Sequence, residues 1–590
     1  MLRRVAVKET GGQSQRGFEM TKASELMANV LDEAGVQYVF GIPGGGTGEI
    51  YNALYDISDR VKPVLARHEQ AAAIMADAYG RATGKPAVVM GQGLFIGSNA
   101  TFGIMEANLS SSPMIVLTDT SDSGMAQHAA NQSGAGEYGS IDLLGIFRSI
   151  TKFTTLATNP KEAVIGLQLA LKHATSGRPG PATVLMRSAA IAGDVDVESP
   201  PFIHPTQGYL ATATPTARTE DIDKAVEMLV KAERPVMIAG NGVHMSGAHG
   251  QVRELAETLG MAVATSYKGK SSIPETHPLA VGMVGVYGRP TANATVGDAD
   301  VVLVVGAKLT PQDTVGENPA VFDPKRQTII QIDIDERNAG WTFPIDIGLV
   351  GDAGEILQKI QDASAEVVES SPVDTNPRAA RISERKRSLG YYDDPVLLQD
   401  SSPVMPQRLV RILQETVDPS TLFTLDAGNN RVWMAHYFQS QSHKTFYAPG
   451  GTAGMGWSLP AALGVKLAYP DKPVVGVTGD GGFMMSVHAI NTALQYDLPV
   501  VYVVLNDSAL GMVKNHQGDR RIVSEFIETD HGALARSMGA FGIQVNDSKD
   551  LAGALREAFA SGKPSVVDVI VERSASIDDL RASARRPTET

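Results

Sequence analysis

Short runs of mostly apolar residues, many closed by glycine, asparagine or aspartate, recur along the whole chain. From Thr21 to about Ala190 they read VQYVFGIPG, AVVMGQ, MIVLTD and ATVLMR, with a further strand ending near Ala66. Runs this short and continuous suit β-strands buried on both faces of a parallel sheet. Between them lie segments with apolar positions every three or four residues, the first from Ala23 to Ala34, which predict amphipathic helices. The alternation returns from about Thr219 to Lys359 (PVMIAG, AVATS, VVLVVG, TIIQIDID) and from about Met405 to Val571 (TLFTLD, PVVGVTGD, PVVYVVLND, SVVDVIV). The pattern predicts an α/β protein of three consecutive doubly wound parallel-sheet domains, placed at 20–192, 215–365 and 400–575. ESPPFIHPTQGYLATATPT and SSPVDTNPRAARISERKRSLGYYDD read as linkers by composition. Residues 1–19, basic and without an apolar run, read as a disordered arm, with Met20 as an alternative start.

Composition narrows the function classes. A length of 590 residues exceeds what one core organises, and 43% apolar with 20% charged residues fits a globular protein. The formal charge of −14 argues against a nucleic-acid surface, which needs clustered Lys and Arg. The absence of cysteine excludes disulfides, thiolate catalysis and cysteine-ligated metals. No apolar run of about 18 residues is present, so no transmembrane helix is expected. The expectation is a cytoplasmic enzyme.

The strongest chemical signal is VVGVTGDGGFMMSVHAINTALQYDLPVVYVVLNDSALGM. A strand, Val474 to Val477, runs into Gly479, Asp480, Gly481 and Gly482. A helix is predicted from near Phe483, with Met484, Val487, Ile490 and Leu494 on one face. A second strand, Pro499 to Leu505, ends at Asn506. Asp480 and Asn506 thus fall at the carboxyl ends of two strands, the edge at which open α/β sheets bind ligands. Glycines admit a phosphate close to the backbone, and a helix N-terminus offers free N–H groups. A carboxylate and an amide oxygen are hard donors suited to Mg²⁺. An ordinary Gly-rich turn is the competing reading, and the flanking strand, helix and Asn argue against it.

A GDG followed about 26 residues later by Asn, after an apolar strand, resembles the diphosphate signature of thiamine-diphosphate enzymes. The resemblance implies that Asp480, Asn506 and the main-chain carbonyl of Ser508 hold Mg²⁺, with Gly479, Gly481, Gly482, Leu510, Gly511 and Met512 against the cofactor. In RHEQAAAIMADAYGRATG, the family places a catalytic Glu, here Glu69, against the aminopyrimidine ring. Such a Glu must hold a proton, which a partly apolar pocket favours. A dipole-stabilised Glu at a helix start is the bland alternative. YAPGGTAGMGWSLPAALG resembles the segment under the cofactor, with Gly454 and Met455 at its centre; Met455 equally suits core packing. DAGNNRVW resembles a diphosphate-contacting turn supplied by Gly428, Asn429 and Asn430. The family builds its site between two chains, so a homodimer or homotetramer is implied.

Within the family the chain resembles the acetolactate synthase large subunit, through VFGIPGG, RHEQ, RSITKF, KGKSSIPETHPL and IQIDIDE. That implies a carboligase that decarboxylates a 2-oxo acid and ligates the enamine to a second carbonyl. The first domain lacks the His-His pair of the pyruvate and benzoylformate decarboxylases. Departures surround the substrate pocket, for which Gly45, Leu94, Phe95, Lys514 and His516 are the candidate lining residues. GQGLFIGSNA replaces the family's Ser-Gly-Pro-Gly-Ala-Thr-Asn loop, EYGSIDLL lacks an expected Gln, and Val513 to Gln517 replace an aromatic and acidic stretch. Lys514 is read as neutralising a substrate carboxylate or as solvated, and His516 as lying in a loop. His128 and His488 are further candidates, His488 more as a packing residue. Gly306 to Pro311 replaces the Arg and two acidic residues of the flavin-binding members, which counts against FAD. GNGVHMSG and GVYG either line a nucleotide-sized cleft or belong to a structural spacer. The alternatives are a 2-oxo acid decarboxylase, a 2-hydroxyacyl-CoA lyase-type enzyme, or a non-catalytic homologue, which intact Glu69, Asp480 and Asn506 argue against. One chain carries no mark for or against a regulatory subunit.

Overall fold

The computed structural model describes residues 20–122, 132–136, 139–211, 213–578 and 580–581. The predicted arm at 1–19, His128 and the first two residues of EYGSIDLL lie outside them. Three six-stranded parallel sheets, each flanked by helices, form three successive α/β domains, as the alternating pattern predicts. The N-terminal sheet runs Lys62–Leu65, Tyr38–Ile42, Ala87–Gly91, Met114–Asp119, Pro181–Met186, Phe153–Ala157. The C-terminal sheet repeats this winding with Phe446–Tyr447, Leu422–Leu425, Val474–Gly479, Val501–Asn506, Ser565–Ile570 and Phe541–Val545. The central sheet runs Ala280–Met283, Ala262–Thr265, Pro235–Ala239, Val301–Val305, Thr328–Asp333, Ile347–Val350, the winding of dinucleotide-binding folds.

In each sheet the chain reverses its winding direction between two neighbouring strands, and a crevice opens beyond their carboxyl ends. In the N-terminal domain this point lies between Tyr38–Ile42 and Ala87–Gly91. In the C-terminal domain it lies between Leu422–Leu425 and Val474–Gly479, directly before Asp426 and Asp480.

Four expectations about local structure need correction. SSPVDTNPRAARISERKRSLGYYDD is not a bare linker: it contains the helix Asn376–Leu389, which buries only Ile382. The helix is held by cations on carbonyls rather than by an apolar face. Arg378 donates to the carbonyls of Val230, Ala232 and Leu259, at or just beyond the ends of two central-domain helices, where their dipoles are negative. Leu94 and Phe95 sit on a short helix, Gly93–Ser98, and His516 on the helix Gly511–Gln517, neither in a loop. The GDG helix begins at Asp480 and breaks after Ser486, before Ala489–Gln495. Met484 is 50% exposed, because the buried face there carries Phe483 and Ser486 instead.

The N- and C-terminal domains share one core, built where the alanine-rich helix Glu69–Thr83 packs on Ser458–Ala468. Beside it lies a buried ionic junction of all three domains. Arg81 pairs with Asp77 at 2.7 Å and Glu106 at 2.8 Å, and donates to the Ala448 carbonyl at 2.7 Å. Trp457 Nε1 donates to Asp77 at 2.9 Å, and Lys268 of the central domain donates to Ser110 Oγ at 3.1 Å. Burial alone would raise the Glu106 carboxyl, but Arg81, Lys268 and the hydroxyls of Ser110 and Thr452 hold it well below the usual carboxylate range.

Removing Arg81 leaves Asp77 and Glu106 buried without their cation. Arg81→Leu is therefore expected to cost about 3–5 kcal/mol, read from urea unfolding of the full chain. The sign of the pH effect follows from the depressed Glu106. Its contribution is complete above the ordinary value of 4.5 and is lost progressively as pH falls below it. The thermal midpoint of the wild type should thus drop more steeply below about pH 4.5 than that of Glu106→Gln.

Candidate active site

Asp480 ends the strand Val474–Gly479 and opens the next helix. Its Oδ1 accepts from Gly481 N at 2.8 Å and its Oδ2 from Ala509 N at 3.0 Å. Burial and the nearby Asp507 push its carboxyl up to about 6, an environment that favours a compensating cation. On the neighbouring strand, Asn506 has its amide nitrogen tied down. Nδ2 donates to the Thr529 carbonyl at 3.0 Å and to Asp568 Oδ1 at 3.1 Å. Those two acceptors consume both N–H groups, so Oδ1 is turned the other way, where it accepts from Ser508 N at 3.2 Å. Asp568 is held in turn by His531 N at 3.0 Å and Gln544 Nε2 at 2.9 Å.

Ser508 has a left-handed backbone, φ 50°, a strained choice for a residue with a side chain. Its carbonyl accepts from Phe526 N at 2.8 Å. Phe526, Met455 and Leu510 form an apolar shelf over Gly481. A Cβ at 481 would lie 2.9 Å from Met455 Cε, 3.1 Å from Leu510 Cδ2 and 3.3 Å from Phe526. Only glycine leaves that shelf undisturbed.

The turn Gly428 to Asn430 reaches the same edge. Asn429 Nδ2 donates to Asn515 Oδ1 at 2.7 Å, and Asn430 Nδ2 to the Ala427 carbonyl at 3.1 Å. Both side-chain oxygens are buried with no protein partner, which marks a place for donors that the protein itself does not supply. Three helices, Asn429–Tyr437, Asp480–Ser486 and Gly511–Gln517, begin along this edge and turn the positive ends of their dipoles toward it. Gly479, Gly482, Gly511 and Met512 lie within those turns, Met512 packed partly against the domain core.

Glu69 belongs to the other half. His68 caps its helix by accepting from Gln70 N at 3.2 Å. Glu69 is buried, and its Oε2 accepts from Asn99 Nδ2 at 2.9 Å. No hydrogen bond joins Glu69 to the C-terminal domain within this chain among the described residues. Gly45 sits in a turn whose neighbour Gly46 donates to Asp119 at 2.6 Å, while Gly93 donates to the other Asp119 oxygen at 3.0 Å. One buried carboxylate therefore ties both turns of the N-terminal crevice together. A cavity of about 790 Å³ opens beside Gly45, and Phe95 is 41% exposed with Leu94 half-buried.

One pocket assignment fails on geometry. Lys514 is buried, paired with Asp507 at 2.6 Å and bonded to the Arg573 carbonyl at 2.9 Å, so its charge is already matched. His516 is on the exposed side of its helix. His488 is half-buried, its ring 5.6 Å from His68 of the other domain.

Sequence reasoning missed Asn99, Glu106, Asp426 and Asp568. Signals existed for two of them. Glu106 is the only acid in the helix TFGIMEANLS, and Asp568 interrupts the apolar strand SVVDVI. A charge in either place requires built-in partners.

A doubly wound three-domain chain, with a glycine turn, a buried acid and an oriented amide at one strand edge, defines an enzyme built around a diphosphate-bearing cofactor. Comparison with known proteins agrees. Models for the thiamine pyrophosphate enzyme N-terminal TPP binding domain, central domain and C-terminal TPP binding domain match residues 21–137, 222–360 and 426–569. A probable acetolactate synthase large subunit of Methanocaldococcus jannaschii is 35% identical over 94% of this chain and 93% of its own. The acetolactate synthase isozyme 3 large subunit of Escherichia coli K12 is 33% identical over 95% of this chain and 96% of its own. The acetolactate synthase large subunit of Corynebacterium glutamicum is 30% identical over 96% of this chain and 89% of its own. The chain belongs to the thiamine-diphosphate enzyme family, as an enzyme similar to the acetolactate synthase large subunit.

Proposed function

We propose that this chain is a Mg²⁺-dependent carboligase that decarboxylates a 2-oxo acid and joins the remaining fragment to a second carbonyl. The observation that carries the reading is the pinned Asn506, whose amide oxygen and the Asp480 carboxylate occupy adjacent strand ends. The donor set fits the metal: Asp480, Asn506 Oδ1 and the Ser508 carbonyl are all hard oxygen ligands. The backbone N–H groups of Gly428 to Asn430 and of Gly479 to Gly482 would hold the diphosphate, since the free oxygens of Asn429 and Asn430 can only accept, and Met455 with Leu510 would bear on the rings. Thiamine diphosphate, when bound, supplies a carbanion that attacks a carbonyl and accepts the electrons released with CO₂. Glu69 spends Oε2 on Asn99, which leaves Oε1 to hold and pass a proton. Gly45, Leu94 and Phe95 border the substrate side.

The reading includes a homodimer or homotetramer in which Glu69 of one chain serves the C-terminal domain of another. Met484, Met485 and Ile527, 50%, 54% and 87% exposed, support burial against a second chain. No helix among the described residues is long and apolar enough to cross a membrane, and we place the enzyme in the cytoplasm.

One observation favours a second reading, a lyase acting on an acyl-CoA. A cavity of about 760 Å³ opens at the central reversal point, lined by Gly242, Gly306, Lys308, Arg178 and Lys268. Its four basic groups, Arg178, Lys268, Lys308 and Arg431, outnumber Asp313, Asp333 and Asp352 and suit phosphates. Flavin is not part of either reading, since Lys308, Thr310 and Pro311 stand where its partners would.

NMR of products from labelled pyruvate, with thiamine diphosphate and Mg²⁺ and no FAD, separates the two. Acetolactate supports the carboligase; acetaldehyde alone supports a 2-oxo acid decarboxylase; no turnover with cofactor bound supports the acyl-CoA lyase. Glu69→Gln should lower turnover by about 10²–10⁴-fold with the thermal midpoint unchanged, and full activity would refute its role. Asp568→Ala removes the acceptor that pins the Asn506 amide and should weaken Mg²⁺ about 10–100-fold in calorimetric titration. An unchanged affinity would remove Asn506 from the metal site.

A further inference from the structure

Glu106 touches none of the residues expected to meet cofactor or substrate, yet the loop before Met455 is organised on its carboxylate. Oε1 accepts from Gly450 N at 3.0 Å and Gly451 N at 3.1 Å. Oε2 accepts from Thr452 N and Thr452 Oγ1, both at 2.7 Å, and more distantly from Gly451 N and Ala453 N, at 3.2 and 3.3 Å. Four successive backbone N–H groups thus converge on one side chain from another domain, an anion nest filled internally.

The arrangement exceeds what charge balance requires. Arg81 is already matched by Asp77 through two hydrogen bonds, Nε to Oδ1 at 2.9 Å and Nη2 to Oδ2 at 2.7 Å. Oε2 of Glu106 bonds to nothing but the loop. The loop is not a conformation that the chain adopts freely: Ala453 has φ 53°, a left-handed backbone that costs about 1 kcal/mol or more for a residue with a side chain. A Cβ at 451 would lie 2.4 Å from Leu109 Cβ and 3.2 Å from Glu106 Oε2, so the backbone is pressed directly onto the Glu106 helix. One turn earlier on that helix, Thr101–Ser110, Phe102 closes on Gly454, 2.5 Å from where a Cβ would stand.

On the other side of Met455 a second buried carboxylate does the same. Asp426 accepts from Gly456 N at 2.8 Å and Ser458 N at 3.2 Å. Met455 hangs between these two anchors, one in each domain, and its methyl group rests on Gly481.

We propose that Glu106 is a positioning residue, whose carboxylate clamps the N–H groups of Gly450 to Ala453 and thereby fixes Met455 against Gly481. The proposal rests on the reading of Met455 as a residue bearing on the cofactor. Replacing the carboxylate by an amide turns an N–H₂ group toward backbone donors and loses acceptors at once. The loop is then free to relax its left-handed residue, and Met455 moves with it.

The test uses the full chain in four forms: wild type, Glu106→Gln, Thr452→Val and Glu69→Gln. Hydrogen exchange at residues 450–456 is read by mass spectrometry without cofactor. Exchange of the thiamine C2 proton is read by quenched-flow NMR after loading with thiamine diphosphate and Mg²⁺. In Glu106→Gln the loop amides should exchange about tenfold faster or more, and C2 exchange should slow about tenfold while cofactor still binds. Thr452→Val, which removes one donor and keeps the carboxylate, should move both readouts the same way by less; it decides the matter if Glu106→Gln does not fold. Wild-type protection of the loop in both variants, or a loosened loop with wild-type C2 exchange, overturns the proposal. Glu69→Gln separates the two layers: C2 exchange unchanged in that variant sinks the catalytic reading, whereas the amide exchange still reports the clamp.

Discussion

Glu106 with Arg81 is the interaction on which the rest of the molecule turns. A buried carboxylate and a buried guanidinium cost several kcal/mol each to desolvate unless their hydrogen-bonding capacity is filled. Here it is filled by parts of the chain that lie far apart in sequence: Asp77, Ser110, the Ala448 carbonyl and the N–H groups of 450–453. Satisfying the charges therefore obliges the N- and C-terminal domains to dock in one register. Apolar packing of Glu69–Thr83 on Ser458–Ala468 supplies area, while the ionic junction supplies specificity.

The same logic of a buried acid holding two loops recurs at the N- and C-terminal crevices. Asp119 joins the Gly46 and Gly93 turns, Asp426 joins its own turn to Gly456 and Ser458, and Asp568 orients Asn506. Parallel sheets bring loops together at one edge but leave their backbone N–H groups unmatched. A carboxylate on a rigid element matches several of them at once. The reacting groups can then sit on loops without being loose, which is what catalysis by positioning demands.

The legibility of the fold followed burial. Interior strands, such as Met114–Asp119 or Val501–Asn506, were visible as largely apolar runs, because a strand covered on both faces has little use for polar residues. Apart from the strand ending near Ala66, edge strands were not: Phe153–Ala157 is half-buried, Ile347–Val350 alternates, Phe446–Tyr447 has two residues and Phe541–Val545 carries a Gln. The helix Asn376–Leu389 was hidden for a related reason, since it docks through arginines on carbonyls and shows almost no apolar stripe. Of the proposed site residues, those carried by a chemical motif, Asp480, Asn506 and Glu69, stand out in the sequence. Residues whose task is to hold others, Asn99, Glu106 and Asp568, do not, because their partners are brought near only by the tertiary fold. Lys514 shows the converse, a charge that looked available and is already neutralised by Asp507.

The central claim is that the C-terminal crevice binds a diphosphate through a divalent cation held by Asp480 and Asn506. Isothermal titration of thiamine diphosphate into the metal-free chain, with and without Mg²⁺, tests it most directly. One cofactor per chain should bind with Mg²⁺, and none measurably in chelator. Tight, stoichiometric binding without metal would contradict it.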